Sequence, residues 1–191
     1  MPIIAHICDN VKEYQSKGKQ IIITMIASGQ FLCPICFQPL RISSSYERDI
    51  KETGETIEVM VLRCAQRCEK GNALLPDFIS PWKQYSIGEI ETVISEAQHK
   101  RVSDIGTKAN ESTVYRWKRQ LSVRITAAIS VIKAIFIGMG AAVSELKLDQ
   151  RSGFAELESL LDASPRRIRH GGTTLGLANL WLGGRPPPAY I

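Results

Sequence analysis

Four cysteines in two close pairs constrain this chain more than any other feature. The first pair is Cys33 and Cys36, and the second is Cys64 and Cys68. Two short cysteine loops brought together by a hairpin supply four thiolates at tetrahedral spacing, which is the ligand set of a closed structural zinc site. The sequence therefore predicts Zn²⁺ as a cofactor bound by these four residues.

The stretch between the two pairs predicts the hairpin. Residues 41–50 and 55–63 are rich in β-formers, and Gly54 lies in the short segment between them. Disulfides are the first alternative, but they need an oxidising compartment, and the first residues lack the features of a signal peptide. Buried free thiols are the second alternative, and they do not explain two close pairs. We therefore expect a cytoplasmic zinc ribbon, with Cys8 as a buried apolar residue beside His6.

The segments around the predicted ribbon complete an N-terminal β-rich module, residues 1–80. We predict a short helix over 9–17 that ends at Gly18, followed by a buried strand over 19–24. After the second cysteine pair, residues 69–82 contain two prolines and several apolar side chains. This composition indicates an ordered connector that packs the ribbon against the helical segment after it.

The next segment, residues 81–122, has the pattern of a helix-turn-helix. Ser86 is the expected N-cap of a first helix, and Glu89 completes a capping box. Ser103 begins a short second helix, and either Asn110 or Ser112 begins a third. Three helices with a tight turn before a basic third helix are typical of this DNA-binding motif.

Positive charge concentrates around the third predicted helix. Residues 100–124 contain seven Lys and Arg against two Asp and Glu, a local excess of five that equals the net charge of +5 of the whole chain. Val114 and Trp117 are assigned to the core. Such a surface predicts binding to double-stranded DNA, with cations on phosphates and polar side chains at base edges. The residues expected to contact DNA are Lys108, Ser112, Thr113, Tyr115, Arg116, Lys118 and Arg119. The alternative is a solvated basic helix.

Apolar residues repeat every 3.5 positions over 122–148, which predicts a long helix with one buried seam. The seam residues are Ile125, Ile129, Ile132, Phe136, Met139, Val143 and Leu146. The seam predicts a homodimer that presents two basic helices to DNA, with packing against the chain's own helix over 154–161 as an equal alternative. Within it, the most apolar part, residues 127–143, is short for a bilayer and carries Lys133, so we expect no membrane span. Residues 123–162 then form a helical dimerisation segment, and 163–191 form a basic, Gly- and Pro-rich tail that is partly disordered.

Several short stretches resemble a known family. Residues 112–117 look like the start of the recognition helix in transposase and resolvase-type helix-turn-helix segments. In chain order, residues 11–14, the first cysteine pair, residues 74–78 and residues 111–114 resemble a bacterial family of unknown function that joins a four-cysteine zinc ribbon to a transposase-like helix-turn-helix. The resemblance covers about 1–122 and implies DNA binding in a mobile-element setting. The three residues between Cys64 and Cys68 depart from the tighter spacing of that family.

The expected fold class is α+β: a small β zinc ribbon, a three-helix helix-turn-helix and a long C-terminal helix. The expected function is a non-enzymatic, bacterial, nucleoid-associated DNA-binding protein, either a transposase-like accessory or a transcriptional regulator, with no small-molecule substrate. The sequence carries no Gly-rich phosphate loop and no Ser/His/Asp set. The alternatives are an adaptor whose ribbon binds another protein and a truncated transposase that lacks its catalytic domain.

Overall fold

The computed structural model describes residues 2–33, 35–66, 68, 71–81, 83–141, 153–164 and 173–182. It confirms the α+β class with a four-stranded sheet and a helical half. In chain order the elements are β1 Ile3–Ala5, α1 Val11–Glu13, a π-helical turn Tyr14–Gly18, α2 Lys19–Ala27, β2 Leu40–Ile50, β3 Glu55–Cys64, β4 Asn72–Pro76, α3 Ile87–Glu96, a 3₁₀ turn Val102–Asp104, α4 Glu111–Gly138, α5 Gly153–Asp162 and α6 Thr174–Leu182.

The sheet is built on the predicted hairpin. Its strand order is β1-β4-β3-β2, with β1 parallel to β4 and the other neighbours antiparallel. At the tip of the hairpin, the Gly54 N–H donates to the Ile50 carbonyl at 2.8 Å, and Gly54 has φ +75°. Glycine suits that turn because a residue with a Cβ is strained at positive φ. The predicted strands 41–50 and 55–63 are thus confirmed.

The strand predicted over 19–24 is wrong, because this stretch is helix α2. Gly18 does not end the helix either. Its missing Cβ makes room for the Tyr14 ring, which would lie 2.8 Å from a Cβ at that position. The ring is buried against the sheet, where its hydroxyl donates to the Glu58 carbonyl at 3.0 Å. Ile22 is fully buried whereas Ile23 is 42% exposed, so the isoleucine run buries one helix face rather than two strand faces.

The helical half begins where the sequence predicts. Ser86 is the N-cap of α3, and its Oγ accepts the Glu89 N–H at 3.2 Å. The capping box is incomplete, because the Ser86 N–H donates to the Glu52 carboxylate at 2.7 Å instead. The short second helix is a single 3₁₀ turn over Val102–Asp104. The three-helix arrangement of a helix-turn-helix is therefore not confirmed.

Helix α4 is continuous across the boundary predicted between 122 and 123. Asn110 is its N-cap, with its Oδ1 accepting the Thr113 N–H at 2.8 Å. Val114 and Trp117, in the first half of α4, are buried in one hydrophobic core. The apolar face of the second half of α4 is buried in the same core. Residues 81–122 and 123–162 consequently share one core rather than forming two separate units.

The predicted seam of α4 is largely covered by its own chain. The buried members are Ile125, Ile129, Ile132 and Phe136, whereas Met139 is 46% exposed. Helix α5 packs against this face, and an ion pair of 2.9 Å joins Lys133 of α4 to Glu156 of α5. The remaining seam residues, Val143 and Leu146, lie outside the described residues. The structure thus shows the packing within the chain, and the homodimer stays a prediction.

Helix α6 lies in the segment predicted as a tail. Its first N–H groups, from Thr174 and Leu175, donate to the Glu91 carboxylate of α3 at 3.2 and 3.0 Å. Leu175 is buried in the helical core. The basic stretch 165–170 of the predicted tail lies outside the described residues.

By length and apolar composition, α4 alone among the described helices meets the criteria of a membrane span. This is weak evidence, because a core helix of a soluble protein meets the same criteria. Its first turns also carry several cations.

Candidate metal centre and basic surface

Strand register brings the two cysteine pairs together at the open end of the hairpin. Leu40 at the start of β2 pairs with Cys64 at the end of β3. Cys33 and Cys36 lie in the loop that leads into β2, and this loop is closed by an isolated bridge between Leu32 and Pro39. The first pair is therefore held beside the second by the same ladder that forms the sheet.

The four cysteines form one compact cluster. Their Sγ atoms all lie within 4.8 Å of one another, with 3.4 Å between Cys36 and Cys64 and 3.8 Å between Cys64 and Cys68. A tetrahedral zinc ion with Zn–S bonds of about 2.3 Å has S···S edges of about 3.8 Å. All five cysteines of the chain are free thiols. The cluster can hold a metal ion, and the all-thiolate donor set fits Zn²⁺.

The thiols of the cluster differ in acidity before any metal binds. Burial raises the pKa of Cys64, but hydrogen bonds from Cys36 and from the Gln66 and Cys68 N–H groups outweigh it and lower that pKa to about 7. The pKa of Cys68 is raised to about 12, mainly by its hydrogen bond with Cys36 and also by burial. The lowered pKa of Cys64 favours its thiolate, which is the form that binds metal.

The first cysteine loop is held by its own backbone. The Cys33 N–H donates to the Gln38 carbonyl and the Phe37 N–H donates to the Cys33 carbonyl, both at 2.9 Å. Phe37 adopts φ +56°, an uncommon conformation for a residue with a Cβ. Its side chain is 71% exposed, and the neighbouring Ile35 is 59% exposed. This apolar tip was not identified from the sequence, because apolar residues are ordinarily assigned to the core.

Cys8 is buried as predicted and lies outside the metal cluster. Burial is the main cause that raises the pKa of the Cys8 thiol, and the nearby Glu13 carboxylate adds to it. The adjacent His6 faces the buried Asp77, with 3.1 Å between Nδ1 and Oδ2. These contacts describe a thiol that is protonated and packed.

The exposed face of α4 carries several of the side chains predicted to contact DNA. Ser112, Tyr115, Arg116 and Arg119 line one shallow depression near the start of the helix. Tyr115 is 58% exposed, whereas Val114 and Trp117 on the opposite face are buried as predicted.

Two cations of this region are already engaged. Lys118 Nζ donates to the Ala97 carbonyl at 2.7 Å, which places its charge on the C-terminus of α3. Lys100 pairs with Glu96 at 2.8 Å. Lys108 is exposed but lies in the loop before α4 rather than on the helix. Thr113 is half-buried. The available positive surface is therefore narrower than the charge count predicts.

A cleft on the other flank of α4 was not foreseen from the sequence. It has a volume of about 510 Å³ and lies between the tip of the hairpin, residues 81 and 83–85, and the first four turns of α4. Four cations line it: Lys51, Lys83, Arg116 and Arg124. They come from three separate segments of the chain, so no local sequence pattern announces the cluster.

The comparisons with known proteins cover the middle of this chain. Residues 33–117 match a family model described as Domain of unknown function (DUF6431). The match begins at the first metal-cluster cysteine and ends in α4 at Trp117, so it includes the cysteine cluster and α3. No curated protein and no solved structure matches the chain. A match to a family of unknown function is thus confirmed for residues 33–117, whereas a transposase-like helix-turn-helix and a bacterial origin stay predictions.

Proposed function

We propose that the protein is a non-enzymatic DNA-binding protein that places the exposed face of α4 against duplex DNA. The observation that carries this proposal is the pair of arginines on that face, Arg116 and Arg119. Neither takes part in an ion pair within the described ranges. Guanidinium groups without a carboxylate partner are suited to phosphate oxygens, because they donate in a planar fork.

The neighbouring side chains favour contact with a nucleic acid over a bare solvated helix. Tyr115 and Ser112 lie beside the two arginines in the same depression, so aromatic and hydroxyl groups accompany the charge. The first turn of α4 also presents the positive end of a 28-residue helix. In this proposal the cysteine cluster binds Zn²⁺ and stabilises the sheet, without taking part in any reaction.

Binding of a fluorescent duplex across a salt series tests the proposal. For the protein with Arg116→Ala and Arg119→Ala, we expect the slope of log affinity against log salt to become shallower by about two, since each neutralised phosphate contributes about one. A double variant with Lys12→Ala and Lys19→Ala removes the same charge from the sheet module and serves as the control. The proposal fails if both double variants reduce the slope equally or if the wild-type protein does not bind duplex DNA.

A protein-interaction adaptor is the second candidate. The exposed apolar tip of the first cysteine loop favours it, because Leu32, Ile35 and Phe37 are 48%, 59% and 71% exposed. An apolar contact of this kind is insensitive to salt, in contrast to phosphate binding. Genomic neighbourhood distinguishes a regulator from an accessory or remnant of a transposase.

A further inference from the structure

We propose that the cleft between residues 83–85 and α4 is a binding site for a phosphate group, held by Lys51, Lys83, Arg116 and Arg124. This site is distinct from the exposed helix face, although Arg116 lies at the border of both. The inference does not require that the protein binds duplex DNA. The phosphate can belong to a nucleic acid or to a free phosphorylated compound.

The wall of the cleft is fixed by hydrogen bonds from the hairpin. The Arg48 guanidinium of β2 donates to the Ser80 carbonyl at 2.6 Å and to the Lys83 carbonyl. The Lys51 N–H donates to the Gln84 carbonyl at 2.8 Å. The backbone that carries Lys83 is thus tied to the sheet at both sides of this residue. A site that is already ordered binds with a smaller loss of conformational entropy.

The base of the cleft is aromatic. Tyr85 and Trp117 both line it and meet edge to face, with 5.0 Å between ring centroids. Trp117 is 2% exposed, so the rings separate the cleft from the helical core. Charges above an apolar floor interact more strongly than charges in open water, because less solvent screens them.

Among the described residues, the four cations of the cleft have no carboxylate partner in an ion pair. The pKa of Lys83 is lowered to about 8, mainly because the residue is buried and to a smaller extent because of the charges of Arg124 and Arg116. The cations therefore repel one another, and a bound anion relieves that repulsion.

The donors in the cleft suit phosphate better than a carboxylate. Two guanidinium groups and two ammonium groups match the several charged oxygens of a phosphate. A carboxylate has only two oxygens to accept their hydrogen bonds. Asn110, Thr113 and Gln120 also line the cleft and add polar groups for an ester oxygen or a sugar. The volume of about 510 Å³ lies within the range of about 300–1,000 Å³ that small-molecule sites occupy.

Calorimetric titration of the zinc-loaded full chain with inorganic pyrophosphate tests the site. We expect saturable binding that is weakened at least about tenfold by Lys83→Met and by Arg124→Gln, because each removes a charged donor. Arg101→Gln is the matched control, since it removes one exposed guanidinium that lines neither the cleft nor the depression on α4, and we expect less than about a twofold change. Circular dichroism confirms that each variant is folded.

Absence of saturable binding to the wild-type protein overturns the phosphate site, as does equal weakening by the Arg101→Gln control. Adding unlabelled duplex DNA then identifies the source of the phosphate. If DNA displaces pyrophosphate, the cleft holds a phosphate of the nucleic acid. If DNA binds without displacing it, or does not bind, the cleft takes a free phosphorylated compound. Failure of DNA binding with retained pyrophosphate binding rejects the proposed function alone.

Discussion

Lys118 donates a hydrogen bond of 2.7 Å from its Nζ to the carbonyl of Ala97, the C-cap of α3. The last carbonyls of a helix lack partners within the helix, and a lysine at that end also complements the helix dipole. This contact joins α3 to α4 and gives Lys118 a structural role. It also sets Lys118 apart from the neighbouring Arg119, which is exposed and makes no ion pair within the described residues.

We predict that substitution of Lys118 mainly lowers stability, whereas substitution of the adjacent Arg119 mainly lowers DNA binding. Lys118→Met is expected to lower the free energy of unfolding by about 1 kcal/mol, because it removes a charged hydrogen bond at a helix end. Arg119→Met is expected to change it by less than about 0.5 kcal/mol. Urea unfolding measures both. In DNA-binding assays we expect the reverse order, with Arg119→Met the weaker binder. Equal loss of stability in both variants would contradict the role assigned to Lys118.

The features that the sequence predicted correctly are those with local signals. The hairpin has a turn glycine between two β-rich stretches, and the two N-caps, Ser86 and Asn110, precede apolar helical patterns. The cysteine pairs are also local, and the hairpin register then dictates that they meet. These parts of the fold depend on residues close together in the chain, so their patterns are visible without a structure.

The features that were missed depend on distant contacts. Helix α2 follows the turn in which the Tyr14 hydroxyl donates to the Glu58 carbonyl, and it buries Ile22 in the core, so tertiary packing outweighs the β-preference of three isoleucines. Helix α6 is anchored by the Glu91 carboxylate from another helix. The cleft gathers cations such as Lys51 and Arg124 from segments far apart in sequence. Periodicity and composition carry no information about such pairings.

We predict that the cysteine cluster binds one zinc ion per chain and that the ion stabilises the sheet. Cys64→Ser is expected to abolish stoichiometric zinc and to destabilise the protein by several kcal/mol, since zinc-finger peptides bind their ion with about 10–16 kcal/mol. Atomic absorption and thermal unfolding with and without a chelator measure the two effects.

Cys8→Ala is the matched control for the zinc prediction, because Cys8 is buried but lies outside the cluster. We expect this variant to retain zinc in full, with only the modest loss of stability that results from removing a buried sulfur atom. Retention of one zinc per chain by Cys64→Ser would show that the four thiols are not the ligands.

We predict that Glu91 holds α6 against the helical core. Glu91→Ala removes the acceptor of the Thr174 and Leu175 N–H groups, and loss of a helix N-cap costs about 1 kcal/mol. Hydrogen exchange of the amides in 174–182 should accelerate while exchange in β3 stays slow. Glu96→Ala, which removes only the exposed pair with Lys100, is the control and should leave α6 protected. Uniform acceleration across the chain would argue against a local role.

Finally, we predict that Lys83 destabilises the folded protein at neutral pH. An ordinary lysine has a pKa near 10.4, whereas burial and the charges of Arg124 and Arg116 lower that of Lys83 to about 8. Between these values the unfolded chain binds more protons than the folded one, so stability rises with pH. Below pH 8 both states are protonated, and the full penalty of the buried charge is present.

Lys83→Met removes that penalty, so we expect it to raise the free energy of unfolding at pH 7 by about 1–3 kcal/mol. The gain over the wild-type protein should shrink as the pH rises from 8 towards 10.5, because the wild-type lysine then loses its proton in the folded state. Urea unfolding at pH 7 and pH 10 measures it, with Lys108→Met as an exposed control. A gain that is the same at both pH values would show that packing, rather than charge, is responsible. If the substitution stabilises the protein and also abolishes pyrophosphate binding, the cations of the cleft lower stability but are required for binding the ligand.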